Sequence, residues 1–84
     1  MDIRVLRSFL TITQEGGITK AANVLHVTQP TMSRQIQDLE AELNVRLLER
    51  HSHSITLTPA EERLRTRAEE ILELVEQTEA EFAT

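Results

Sequence analysis

Five residues near the middle of the chain have the types and the spacing needed to read DNA bases. They are Gln29, Pro30, Thr31, Ser33 and Arg34, and they fall within about one and a half turns of a helix. Arginine binds guanine O6 and N7 in a bidentate way, glutamine does so with adenine, and threonine or proline packs on a thymine methyl group. A solvated helix face has a similar composition, so the cluster alone leaves both interpretations open.

Other kinds of chemistry find little support in the residue types. The chain has no cysteine, which excludes disulfides, thiolate metal ligands and a cysteine nucleophile and fits a reducing compartment. His51 and His53 form an H-x-H pair, but two imidazoles without nearby cysteine or carboxylate partners make an incomplete metal site. We find no nucleophile beside a base and no glycine-rich phosphate loop. The sequence therefore predicts no enzyme, no cofactor and no metal.

The polar cluster opens a stretch with helical periodicity, Thr28 to Leu43. Its apolar residues share one stripe and are Met32, Ile36, Leu39 and Leu43, whereas Pro30, Arg34 and Gln37 fall roughly opposite. A second apolar helical pattern, ITKAANVLH, ends only a residue or two earlier. Because so short a link permits only a tight turn between helices, the pair predicts a helix-turn-helix.

Further elements flank this pair of helices. Asp2 is a candidate cap for a first helix that runs to about Glu15 and ends at Gly16-Gly17. After Asn44, residues 46–50 and 54–58 predict two short strands around a tip at residues 51–53. Two strands after a helix pair make a wing, from which Arg50 and His53 would reach the DNA backbone or the minor groove. We therefore expect a mainly α fold, a winged helix-turn-helix with three helices and two wing strands.

The last third of the chain predicts one long helix. Thr58 is the expected cap, Pro59 the first helical residue, and Glu61 the partner of Thr58 in a capping box. An apolar stripe with heptad-like spacing must pack against a partner. About 24 residues of helix span roughly 36 Å, which is longer than a domain the size of residues 1–58 (the head) can cover. We predict a linker helix that dimerises through Leu64, Ala68, Ile71, Leu72, Val75 and Phe82. Folding back on the chain's own core competes seriously with this prediction at Leu64 and Ala68 only.

The net charge of -5 has an uneven distribution along the chain. Residues 1–60 contain six basic and six acidic residues, whereas residues 61–84 contain three arginines and eight glutamates. Since phosphate neutralisation supplies much DNA affinity, a neutral head implies a few placed contacts together with dimerisation. No apolar run is long enough to cross a bilayer and no signal peptide is evident, so we expect a cytoplasmic protein.

Residues 3–62 closely resemble the N-terminal region of LysR-type transcriptional regulators. The most specific segments are Ala21-Ala22, residues 25–30 (LHVTQP), residues 33–36 (SRQI), Leu39-Glu40, Leu43, Arg46-Leu47, Glu49-Arg50 and Leu57-Thr58. The resemblance implies a dimer that binds an interrupted palindrome in bacterial promoters. By position, bases or nearby phosphates would be contacted by Thr28, Gln29, Pro30, Thr31, Ser33 and Arg34, with Arg50 and His53 in the wing.

The resemblance also implies that the protein continues beyond this chain, and the chain departs from the usual residues of the family at four positions. Members continue into a domain that binds a small-molecule effector, so the sequence predicts a fragment with a DNA-binding domain at 1–58 and a linker helix at 59–84. Higher oligomers of the full-length protein are possible. Gly17 replaces a usual serine, Leu48 a usual phenylalanine and Glu61 a usual glycine, and His53 stands where many members carry arginine.

One alternative comes from a different class of function. The acidic helix at 59–84 would be the working surface of a protein-interaction or dimerisation module, and DNA would be incidental. The negative net charge of residues 61–84 favours this alternative. The polar cluster from Gln29 to Arg34 argues against it, because an interaction module would not need those residues.

Overall fold

The computed structural model describes residues 1–50 and 55–83. The elements follow the chain in the order α1 (Ile3–Glu15), α2 (Ile18–Leu25), α3 (Gln29–Leu43), β1 (Leu48–Arg50), β2 (Ile55–Leu57) and α4 (Pro59–Glu81). This is the predicted winged helix-turn-helix with a long fourth helix.

The helix starts and stops follow local side-chain chemistry. Asp2 accepts a hydrogen bond from the Arg4 N–H at 2.7 Å and so caps α1, and Gly16 ends the helix at φ 80°. Thr28 caps α3 by accepting from the Thr31 N–H, and Thr58 caps α4 by accepting from the Glu61 N–H, both at 3.2 Å. Gly17, which has no side chain to offer, precedes α2 without a side-chain cap.

The turn between α2 and α3 contains no glycine, and His26 replaces it. His26 has φ 57° and ψ 42°, the left-handed conformation that ends many helices. The Val27 N–H donates to the Ala22 carbonyl oxygen at 3.0 Å, which closes the end of α2, and the Val27 side chain packs half-buried against the core. The turn therefore reaches Thr28 within three residues.

The core gathers one face of every helix. Phe9 and Ile12 of α1, Ala21 of α2 and Met32 and Ile36 of α3 are all buried. The whole buried apolar set is Leu6, Phe9, Leu10, Ile12, Ala21, Ala22, Met32, Ile36, Leu39, Leu47, Leu48, Ala68 and Leu72. The apolar stripe predicted for α3 is thus confirmed, with Leu43 half-buried at its end.

The wing strands are shorter than the predicted ones. They pair antiparallel with Leu48 opposite Leu57 and Arg50 opposite Ile55. Arg46 and Leu47 come before β1, since the Leu47 N–H donates to the Glu40 carboxylate instead of to a strand. Thr58 comes after β2, because its hydroxyl serves as the cap of α4 and donates to the Arg46 carbonyl oxygen at 2.6 Å.

The fourth helix begins inside the core and ends outside it. It starts at Pro59, and its Ala68 and Leu72 belong to the same core as α1. At 23 residues it is about 34 Å long. From residue 73 to residue 83 every residue except Val75 is exposed, so the last turns of α4 lie outside the core. Over the described ranges, no helix combines the length and apolarity that a membrane span needs.

Candidate nucleic-acid interface

The first turns of α3 present a polar surface above a closed apolar base. Gln29, Pro30, Thr31 and Arg34 are exposed, whereas Met32 and Ile36 on the opposite side are fully buried. Ser33 lies between the two sides and is half-buried. Of the five residues that the sequence singled out, four thus lie on the side of α3 that faces away from the core, and Ser33 lies at the edge of that side.

Thr28 and Thr31 fix the local geometry of this end. The Thr28 hydroxyl donates to the Thr31 hydroxyl oxygen at 2.8 Å and accepts from the Thr31 N–H. The Met32 N–H donates to the Thr28 carbonyl oxygen at 3.0 Å, and Pro30 has no N–H. In the first turn, only the Gln29 N–H has no hydrogen-bond partner among the described residues. A phosphate here would meet fewer free backbone donors than a helix start usually offers.

Two contacts that the sequence did not reveal hold α3 in place. The buried Ser8 hydroxyl of α1 donates to Gln35 Oε1 at 2.8 Å. Glu40 Oε2 accepts from the N–H groups of Leu47 and Leu48 at 2.7 and 3.3 Å. Gln35 and Glu40 are therefore positioning residues, because they orient α3 against α1 and join it to β1. Both side chains lie on a solvated face by periodicity, and only tertiary packing supplies their partners.

The wing residues are placed only in part. Arg50 ends β1, the element that follows α3 in the chain, and β1 pairs antiparallel with β2. His53 and the H-x-H pair that it forms with His51 lie outside the described residues. Within residues 1–50 and 55–83 there is no group of three or more His, Asp or Glu side chains suited to a metal ion.

The predicted dimerisation residues divide into two sets. Ala68 and Leu72 are buried against the chain's own core, and Leu64 packs against that core with part of its surface exposed. Ile71 likewise packs half-buried against that core, Val75 is half-buried, and Phe82 is 81% exposed. Of the predicted residues, Val75 and Phe82 therefore lie outside the core of their own chain, whereas Leu64 and Ile71 keep only part of their surface accessible.

Leu74, which widens the apolar stripe in the sequence, is also accessible. It is 63% exposed and lies on the same side of α4 as Ile71, three residues earlier. Within the predicted stripe, Ala68 and Leu72 lie on the side of α4 that packs into the core, whereas Leu74 lies on the side away from it.

Glu61 behaves differently from the expected capping-box partner. Its side chain is 2% exposed, and its Oε1 atom has no hydrogen-bond partner among the residues described. The Thr58 N–H donates instead to the Leu47 carbonyl oxygen at 3.4 Å. Burial raises the pKa of the Glu61 carboxyl, and the guanidinium of Arg65, whose Nε lies 3.8 Å from Oε1, opposes that rise.

Comparison with known proteins places this arrangement in a family. Residues 3–62 match the family described as "Bacterial regulatory helix-turn-helix protein, lysR family". The chain belongs to the LysR family. It is 42% identical over 80 residues to the HTH-type transcriptional regulator GltR of Bacillus subtilis, and the match covers 95% of this chain and 27% of GltR. The chain thus spans about a quarter of the length of this curated relative.

Two solved structures of LysR-type domains match nearly the whole chain. The BenM DNA-binding domain bound to catB site 1 DNA superposes with a TM-score of 0.92 at 40% identity, covering 98% of this chain and 91% of that one. The CbnR DNA-binding domain in complex with DNA gives a TM-score of 0.93 at 41% identity, covering 96% and 93%. The architecture of this LysR chain is therefore that of domains solved on DNA.

Proposed function

We propose that this chain is the DNA-binding domain and linker helix of a dimeric bacterial transcriptional regulator that binds double-stranded DNA sequence-specifically. The observation that carries the proposal is the polar face of α3, with Gln29 and Arg34 exposed over the buried Met32 and Ile36. Similarity to the BenM and CbnR domains in their DNA complexes supports it. The alternative, a protein-interaction module that works through the acidic helix alone, does not explain the polar face of α3 and is not favoured.

In this proposal the first turns of α3 enter the major groove. Arg34 reads guanine and Gln29 reads adenine, because these side chains match the bidentate patterns of those bases. Pro30 and Thr31 contact a thymine methyl group or the backbone, and the Thr28–Thr31 hydrogen bond holds the helix tip rigid. Ser33 lies beside Arg34 and contacts a phosphate.

The wing has a secondary role in the proposal. Arg50 contacts the DNA backbone and His53 approaches the minor groove, where a mostly neutral imidazole is a weaker ligand than arginine. Affinity then depends chiefly on α3 and on pairing two copies.

Dimerisation through α4 supplies that pairing. A two-fold dimer presents two copies of α3 to two half-sites, which matches the interrupted palindrome expected for the family. On α4, Leu74 and Phe82 are exposed and Ile71 and Val75 are partly exposed. A contiguous exposed apolar patch of this kind is typical of a protein–protein interface.

The rest of the protein follows from its relatives. GltR and the other relatives are regulators rather than enzymes, and we propose the same for this protein, with a cytoplasmic location. A further domain that binds a small-molecule effector would account for their greater length.

Selection of binding sites from random duplexes, followed by titration, tests the proposal. We expect a selected duplex with two half-sites to bind at least tenfold more tightly than its scrambled version. Affinity should fall steeply between two salt concentrations, with a slope of about -0.9 per neutralised phosphate on logarithmic axes. Absence of binding even at low salt would reject DNA binding and leave the interaction module.

A further inference from the structure

Lys20 is the only lysine among the nine basic residues of the chain, and all the others are arginines. It is the third residue of α2, and its side chain is exposed. The guanidinium of arginine stays protonated, whereas the amine of lysine is a target of acetylation. A reagent that transfers an acyl group therefore meets one side-chain amine in this chain.

The amino group of Met1 is the other amine of the chain, and it already has a partner. It donates a hydrogen bond to Glu42 Oε1 at 2.7 Å and forms an ion pair with that carboxylate. Lys20, by contrast, forms no ion pair with any residue that the structure describes. The Lys20 amine is thus both exposed and unpaired, so a reagent in solution can reach it.

Lys20 lies in an acid-free stretch that includes all of α2 and the first turns of α3. Residues 16–37 contain no aspartate or glutamate, and their lysine and arginine residues are Lys20 and Arg34. The six acids of the head all lie outside this stretch. The two cations are therefore not neutralised within their own segment, which suits a surface that meets phosphate groups.

The position of Lys20 on α2 places it beside the DNA backbone in the proposed complex. Ala21 and Ala22 are buried, and Lys20 lies on the exposed face of the helix with Asn23. In helix-turn-helix domains the second helix lies in the major groove and the first helix crosses the backbone. Here α2 is that first helix, it is about 12 Å long, and a turn of three residues joins it to α3. The Lys20 ammonium then meets a phosphate as a point charge.

We propose that Lys20 is an acylation site at which a small acyl phosphate weakens DNA binding. This inference rests on the proposed DNA binding, and it adds a modification site and the chemical class of its co-substrate. The negative phosphate of such a reagent is attracted to the acid-free stretch around Lys20.

The reaction is an acyl transfer to nitrogen. The unprotonated Nζ atom attacks the carbonyl carbon of the acyl phosphate, so that a C–N bond forms and the C–O bond to phosphate breaks. Inorganic phosphate leaves with the electron pair of that bond, and the nitrogen loses a proton to water. A neutral amide replaces the ammonium group.

Loss of this charge weakens binding without changing which sequence is preferred. The head has six basic and six acidic residues, so acetylation leaves it five basic and six acidic ones. A phosphate contact carries no sequence information, so the affinities for the selected and the scrambled duplex should fall by the same factor. This result differs from the loss of discrimination expected when a residue that reads bases is removed.

Treatment with acetyl phosphate, followed by mass spectrometry and fluorescence anisotropy, gives the test. We expect acetylated wild type to bind the selected duplex about tenfold more weakly at about 0.1 M salt, with a logarithmic salt slope smaller by about 0.9 per lost phosphate contact. Lys20→Arg is the matched control, because it keeps the charge and has no side-chain amine. The same treatment should leave the affinity of this variant unchanged.

A second variant reproduces the modified state without a reagent. Lys20→Gln has a neutral amide at an exposed position, so helical circular dichroism should be unchanged while affinity and salt slope fall as in the acetylated chain. Arg7→Gln removes one exposed cation from α1, on a surface that it lines together with Glu69 and Glu73 of α4. This control should bind DNA like wild type, and a loss equal to that of Lys20→Gln would contradict the proposed contact.

The outcomes separate the Lys20 site from the proposed function. Untreated wild type that binds no duplex would reject DNA binding, and the Lys20 site with it. Unchanged affinity of a chain shown by mass spectrometry to be acetylated at Lys20 would overturn the site and leave DNA binding in place. Equal losses in treated wild type and treated Lys20→Arg would assign the effect to another group. A Lys20 that stays unmodified while a short lysine-containing peptide is acetylated would also overturn the proposal.

Discussion

The carboxylate of Glu40 on α3 accepts a hydrogen bond from the backbone N–H of Leu47 at 2.7 Å, and so ties the proposed reading helix to the start of the wing. The same oxygen accepts from the Leu48 N–H at 3.3 Å. Leu47 and Leu48 are buried, so water cannot readily replace the lost acceptor. One carboxylate therefore sets the position of β1 relative to α3.

Removing this carboxylate should destabilise the chain. We expect Glu40→Ala to lower the free energy of unfolding by about 1.5–3 kcal/mol, the usual range for a hydrogen bond to a charged group. Urea denaturation followed by circular dichroism measures it. Glu40→Gln keeps an oxygen acceptor and should lose less, and Asp38→Ala, an exposed acid on the same helix, should change stability little. Equal losses in all three variants would contradict the role of Glu40.

His26 in the left-handed conformation should limit stability. A residue with a Cβ atom in this conformation destabilises the fold by about 1–2 kcal/mol. Glycine avoids this strain but loses more conformational entropy on folding, so it restores only part of that energy. We expect His26→Gly to raise the free energy of unfolding by up to about 1 kcal/mol and His26→Val to lower it, since β-branched residues are the least suited to positive φ. Thermal denaturation compares the two, and a gain from valine would contradict the assignment.

The local elements of this fold were predictable because their causes are local. Asp2 and Thr58 are caps in the structure as the sequence predicted, since a capping side chain bonds to a backbone group two or three residues away. The contacts of Gln35 with Ser8 and of Glu40 with Leu47 join different elements, and no pattern within one helix reveals them. The polar face of α3 was predictable from periodicity, whereas the residues that orient it were not.

The same distinction explains the two faces of α4. A heptad pattern identifies an apolar stripe, but it does not say whether the partner is the chain's own core or another chain. Ala68 and Leu72 pack internally, and Phe82 does not. Glu61 was predicted as a capping partner because of its spacing, and its burial depends on how α4 packs.

The Ser8–Gln35 hydrogen bond should contribute to the stability of the fold, since it joins α1 to α3. Ser8→Ala leaves the half-buried Gln35 amide oxygen without its donor and is expected to cost about 1 kcal/mol of folding free energy. The double variant with Gln35→Leu should cost less than the sum of the single changes, because it leaves no unpaired polar group. Additive losses in denaturation experiments would show that the two side chains act independently.

Glu61 predicts a pH dependence of stability whose sign can be worked out. Burial raises the pKa of this carboxyl in the folded chain above its ordinary value of 4.5, so the folded state holds the proton more tightly than the unfolded state. Above the folded pKa the ionised carboxylate costs stability, and that cost is relieved as the pH falls through the folded pKa toward 4.5. Glu61→Gln removes the charge, so its advantage over wild type should be larger at pH 7.5 than at pH 5.

Wild type and variant must be compared at each pH, because the carboxyl of Asp2 has the opposite effect on the pH dependence of stability. The side chain of Arg4 donates a hydrogen bond to Asp2 and lowers the pKa of that carboxyl, so its contribution is lost as the pH falls. We expect Glu61→Gln to be more stable relative to wild type at pH 7.5 than at pH 5, because the amide has no charge for burial to penalise. Glu62→Gln, its exposed neighbour, is the control and should show no such pH-dependent gain. A gain that stays constant from pH 5 to 7.5 would show that the buried charge is not its source.

Arg34 is expected to decide which DNA sequence the chain prefers. It is exposed on α3 one turn after Pro30, on the face opposite the core. Arg34→Ala should reduce discrimination between the selected duplex and a scrambled duplex by about 1–3 kcal/mol, since a bidentate contact to guanine is lost. Arg7→Ala, an exposed arginine of α1, controls for the lost positive charge and should leave discrimination unchanged. Fluorescence anisotropy with both duplexes measures the effect, and an equal loss of affinity for the two would make Arg34 a phosphate contact only.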